Sequence, residues 1–204
     1  MRCGGRRRHV RYRTYFRVLS ICEDRLLRLE PGPTIPRLVV VTGPPGAGKT
    51  TIAGELQARL GLPLIAKDAL KETLGDALEF TGDRSGSQRL GAATFRLQFL
   101  VVRELLSAGV SVIVEGNFRL PDWFETLPPA HIIQVHVSAD PAVLRERLLT
   151  RETHRHPVHY DPDAADEIAD RAAAGEWPAL PIGGRLIEID TTIWPDLGAM
   201  LGAI

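Results

Sequence analysis

The segment RLVVVTGPPGAGKTTIAGEL, residues 37–56, leaves the chain few ways to fold. Leu38 to Thr42 is a short apolar run rich in β-branched residues, which fits a strand buried on both faces of a parallel sheet. From Thr50 to Leu60, apolar Ile52, Ala53, Leu56 and Leu60 recur at helical spacing, and Gly61 closes the stripe. Between them, Gly43-Pro44-Pro45-Gly46-Ala47-Gly48-Lys49-Thr50 satisfies G-x-x-x-x-G-K-[ST], with a strand before it and a helix after it. Glycines let backbone N–H groups turn inward onto phosphate oxygens, and the helix N-terminus adds partial positive charge. The loop therefore reads as a site for ATP with Mg2+. Lys49 is expected to reach the β- and γ-phosphates, Thr50 to place its hydroxyl on the cation, and Thr51 to lie near the α-phosphate. A dinucleotide fingerprint is excluded, because Gly-x-Gly-x-x-Gly is missing and Lys49 would have no duty in one.

The remaining pattern alternates strands and helices. Pro63–Ala66 reads as a second strand ending at Lys67-Asp68, and Ala69–Leu78 as a helix. Residues 81–88 are polar and glycine-containing, a loop by composition, and 89–109 form a long helix stopped at Gly109. Strands follow at 110–116, 132–138 and 186–190. Helices are expected from Pro141 to about Arg151 and from Ala164 to Ala174, with a histidine-rich loop, 152–163, between them. This spacing predicts an α/β fold: a doubly wound, parallel five-stranded sheet of the P-loop NTPase type, with 152–163 as a short lid.

Composition bears on partners. With 204 residues and 44% of them hydrophobic, the chain suits one catalytic domain. The formal net charge is zero, yet seven arginines and no acid lie between Met1 and Cys22. Residues 1–36 are accordingly read as a basic arm and a proline-rich linker, and 37–204 as the domain. Both cysteines, Cys3 and Cys22, fall in the arm without metal-like spacing. No apolar run approaches the ~20 residues of a membrane span, so a cytoplasmic protein is expected.

What accepts the phosphate must be sought elsewhere. Asp68 stands at the carboxyl end of the second strand, where a doubly wound sheet opens into its substrate crevice. A carboxylate there can take the proton of an acceptor hydroxyl, or it can simply cap the helix at 69–78. Lys71, a turn further on, is a candidate for acceptor charge. Glu115 at the end of the third strand is a candidate for a magnesium-bound water, for the acceptor pocket with Asn117 and Arg119, or for pairing with Lys49. Arg147 and Arg151 are four apart and share a helix face. In the loop that follows, His154, Arg155, His156, His159 and Tyr160 lack the Cys or Glu partners of a ligand set, so substrate gating is the preferred reading.

GPPGAGKTT, KDALK, a long helix ending in LLSAG, and VSVIVEGNF together resemble the P-loop kinases grouped around chloramphenicol phosphotransferase, zeta toxins and polynucleotide kinase. The resemblance covers roughly Arg37 to Asp190. It implies that Asp68 is the general base and that Lys71 contacts the acceptor. Similarity to nucleoside monophosphate kinases implies an adenine-stacking role for Arg147, and for Arg151 a lid role against the transferring phosphoryl group. The implied activity is transfer of the ATP γ-phosphate to a hydroxyl of a small molecule, a nucleotide or a polynucleotide end. The basic arm would suit a nucleic acid, whereas Phe95, Phe99, Phe118, Trp123 and Phe124 would form either an apolar pocket for a small acceptor or ordinary core. A regulatory ATPase working as a conformational switch is the alternative from another class.

Overall fold

The structure, a computed structural model, describes residues 35–119, 121–151, 156–159 and 164–196, with Arg151 represented by its backbone. The basic arm with Cys3 and Cys22, the side chain of Arg151, and His154, Arg155 and Tyr160 lie outside the described residues.

The apolar runs form one all-parallel sheet: β1 (Arg37–Thr42), β2 (Leu64–Ala66), β3 (Val112–Glu115), β4 (His131–Ser138) and β5 (Arg185–Asp190), in the order β2-β3-β1-β4-β5. Six helices accompany them among the described residues: α1 (Lys49–Leu60), α2 (Lys67–Ala77), α3 (Arg84–Ser107), α4 (Asp122–Glu125), α5 (Pro141–Arg151) and α6 (Ala164–Ala173). The period-two alternation of the strands sorts the core into two layers. Val39, Val41, Ile113, Val135, Val137 and Ile189 face α1 and Leu144 of α5. Leu38, Val40, Val112 and Val114 face Phe99, Val102 and Leu106 of α3. β1 is covered on both faces, which is why its run is uninterrupted by polar residues until Thr42.

Three boundaries differ from the sequence reading. Residues 81–88 are not all loop: α3 begins at Arg84, because the Asp83 side chain accepts a hydrogen bond from the Gly86 N–H at 2.9 Å and caps the helix. Helix α2 begins at Lys67 rather than Ala69, with Ala66 in the capping position. Asp68 therefore lies inside the first turn, favoured there by the helix dipole, and it is not the cap. The third strand is shorter than 110–116, since Gly109 and Val110 complete the end of α3, their amides bonding back to Leu106 and Leu105. The short α4 was not anticipated. Among the described residues, no helix is long and apolar enough to cross a membrane.

Candidate functional site

The sheet register gathers the chemistry. Val41 of β1 and Ala66 of β2 both pair with Glu115 of β3, so one row across three strands ends at the phosphate loop, at Glu115 and at Lys67-Asp68. Alternation puts Glu115 on the same face as Ile113, toward α1, where Lys49 begins the helix. Strand order reverses about β1, and the crevice at that reversal is where ligands enter open α/β sheets.

The phosphate loop is a backbone cradle. Gly43 has a left-handed φ of 140°, and a Cβ there would collide with the Val137 carbonyl oxygen of β4. Gly48 has φ 86° and precedes α1. The Lys49 ammonium is buried and donates to the Pro44 carbonyl oxygen at 2.9 Å. Thr50 and Thr51 are exposed at the mouth of the loop.

Asp68 lies at the rim, its side chain 52% exposed, and accepts from Lys67 Nζ at 2.9 Å. Desolvation by the cleft walls pushes its carboxyl up, but the charge and hydrogen bond of Lys67, with His159 and Lys49 beyond, outweigh this and hold it below its ordinary value. Glu115 behaves oppositely. It is buried at 4% exposure, and desolvation together with the nearby Asp68 charge raises its carboxyl against the pull of Lys49 and Lys67. Two carboxyls of one crevice are thus driven apart, the rim group ionised and the inner one more easily protonated.

Other predicted site residues are engaged within the protein. Lys71 is buried and donates to Ser87 Oγ at 2.8 Å. Asn117 is half-buried after β3, while Arg119 is turned toward Glu176 at 3.5 Å and lies over the Trp177 ring. Arg147 donates to Thr191 Oγ1 at 3.0 Å, to the Thr191 carbonyl at 2.5 Å and to the Gly46 carbonyl at 3.4 Å, which ties α5 to the phosphate loop. Phe99, Phe118 and Phe124 are buried against one another at centroid distances of 5.1–5.6 Å and form core, with half-exposed Trp123 stacked on Phe99. Phe95 is nearer the crevice, beneath the Lys67 ammonium at 5.6 Å.

Sequence reasoning missed four residues here. Lys67 holds Asp68. Gln98, fully buried, donates to the carbonyls of Ile65 and Glu115, each at 2.8 Å, and so fixes the ends of β2 and β3 relative to one another. Thr191 places its hydroxyl within 2.9 Å of the Ala47 carbonyl and 3.0 Å of that of Ser138. Trp194 lies on the loop itself: its ring would stand 2.6 Å from a Cβ on Gly48, and the Arg147 guanidinium is 5.9 Å from the ring centroid. The signal for the last two was topological, since 191–194 leaves β5 at the same sheet edge as every other site segment.

Residues 39–168 match the family model described as an AAA domain. A Pyrococcus furiosus protein provisionally named an adenylate kinase is 27% identical over 161 residues, 76% of this chain and 75% of that protein. A cytidylate kinase of Archaeoglobus fulgidus is 30% identical over 115 residues, 56% of this chain and 61% of that enzyme. A solved structure from Chloroflexus aurantiacus, provisionally described as a kinase, has a TM-score of 0.77 at 36% identity, covering 83% of this chain and 97% of that one.

Proposed function

Because the chain belongs to the AAA domain family of P-loop proteins, we propose that it is an ATP-dependent kinase transferring the γ-phosphoryl group of ATP to a hydroxyl of a small-molecule or nucleotide acceptor. The observation that carries the reading is the shared register of Val41, Glu115 and Ala66, which brings Lys49, Glu115 and Asp68 to one crevice. The named relatives are likewise called kinases, one of them provisionally.

In this mechanism the loop amides of residues 43–50 and the Lys49 ammonium seat the β- and γ-phosphates. Thr50 and Glu115 supply the oxygen donors a hard divalent cation prefers and would hold Mg2+, Glu115 through a bound water. The cation, when bound, neutralises charge on the phosphate oxygens. Asp68, held ionised by Lys67, accepts the proton of the attacking hydroxyl as that oxygen bonds to phosphorus and the bond to the leaving diphosphate oxygen breaks. Arg147 braces the loop and the nucleoside end, and Arg151 is assigned to the charge spreading on the transferring group.

The test is an acceptor screen with labelled ATP, comparing wild type with Asp68→Asn. A general base of this kind is worth about 10²- to 10⁴-fold, so labelling should fall by that factor. An unchanged rate removes Asp68 from the role of base. Slow ATP hydrolysis without any labelled acceptor, coupled to nucleotide-dependent partner binding, would replace the kinase with a switch.

A further inference from the structure

Four residues of the histidine-rich loop, 156–159, form a turn seated on α2 and α3. His159 N–H bonds to the His156 carbonyl at 3.0 Å, and Val158 N–H donates to His156 Nδ1 at 3.2 Å. With Nδ1 accepting, the ring proton sits on Nε2 and points to Asp76 Oδ1 at 2.9 Å. His159 Nε2 meets Glu72 Oε1 at 2.9 Å, with a side chain only 5% exposed. Glu72 and Asp76 are four apart, so the two histidines grip one face of α2. Between them Val158, fully buried, lies over Gly75, and its carbonyl accepts from Ser87 Oγ at 2.7 Å, the same hydroxyl that receives Lys71 Nζ.

The gripped helix is the one that carries Asp68, one turn upstream of Lys71 and Glu72. We propose that the turn 156–159 positions the acceptor side of the crevice: seated on α2 and α3, it holds α2 where Asp68 meets the acceptor hydroxyl, with His159 as the positioning residue. The inference rests on the kinase reading and assigns the turn to acceptor phosphorylation, leaving nucleotide binding to the loop and α5. A protonated His159 would help hold the Asp68 carboxyl below its ordinary value.

Gly75 offers a clean way to unseat the turn. A Cβ there would stand 2.9 Å from Val158 Cγ2 and 3.6 Å from His156 Cε1. Within a helix, alanine is otherwise the better residue, so Gly75→Ala should leave the helix folded. Misplacing a reacting group by about an ångström costs up to about 10²-fold, so kcat for acceptor phosphorylation should fall by about 10- to 100-fold with the nucleotide Kd unchanged. Removing the clash in Gly75→Ala/Val158→Ala should restore most of the lost kcat, and His159→Gln should retain more kcat than His159→Ala. The inference is overturned by an unchanged kcat in Gly75→Ala, by loss of nucleotide affinity in parallel with kcat, or by a double variant no better than the single. Wild-type protein that labels no acceptor overturns the kinase reading, and this inference with it. Wild-type labelling matched by Gly75→Ala overturns the inference alone.

Discussion

Around Lys49 the crevice is walled by backbone: left-handed glycines, the carbonyls of Pro44, Gly46 and Ala47, and the start of a helix. Around Asp68 it is walled by side chains from separate segments: Lys67 on Asp68, Lys71 on Ser87, and two histidines on Glu72 and Asp76. Backbone recognition tolerates few sequences, because only glycine takes the required conformations without strain. Side-chain recognition can be rebuilt one residue at a time. A cradle of this kind can therefore stay fixed while the acceptor wall changes around it.

Lys49→Met should break the contrast most severely, since it removes the ammonium buried within the backbone cradle itself. Labelled-ATP assays should show transfer falling by about 10²- to 10³-fold or more for every acceptor. A loss confined to one acceptor would mean that Lys49 belongs to the acceptor wall instead.

Next in size is Arg147→Ala, which strips charged donors from Thr191 and Gly46. Charge-assisted hydrogen bonds of this kind support a rise of about 10- to 100-fold in the KM for ATP, with the acceptor KM unmoved. Arg147→Lys should not rescue it, because a single ammonium cannot span the sites that the guanidinium fork reaches. A larger change in the acceptor KM than in the ATP KM would erase the division between the two walls.

The smallest effect is on stability, from Glu115→Gln. Because the folded protein raises the Glu115 carboxyl above its unfolded value, this group's contribution is most favourable below the unfolded pKa and is lost as pH rises through the folded one. The glutamine variant, measured without nucleotide, should therefore melt a few degrees higher at pH 7. The difference should vanish as pH falls below the ordinary carboxylate range, and transfer should be slower despite the added stability. A lower melting point at pH 7 would show that Lys49 outweighs burial at this site.

The same contrast governs what the sequence reveals. The phosphate loop, all five strands and α5 are legible, because local periodicity and glycine chemistry determine them. Helix α3 was read as starting five residues late, since Ser85, Gly86 and Ser87 have loop composition. What makes them helical is a cap at Asp83 and a tertiary hydrogen bond that Ser87 Oγ accepts from Lys71. Asp68 was placed at the right strand end but in the wrong helical position, because Asp is locally the better cap while the helix starts at Lys67 with Ala66 in the capping position. Lys67 was overlooked although its partner is the next residue, whereas Gln98 and Trp194 acquire meaning only through contacts with residues far away in the chain, Gln98 with Ile65 and Glu115 and Trp194 with Gly48 and Arg147.

The chain has three tryptophans, each in a different part of this architecture: Trp123 on the aromatic layer, Trp177 between Arg119 and Arg171, and Trp194 on the phosphate loop. With the first two replaced by phenylalanine, tryptophan emission would come from the indole beside Gly48 alone. The protein would then report the filling of its own phosphate cradle in real time, without an attached dye.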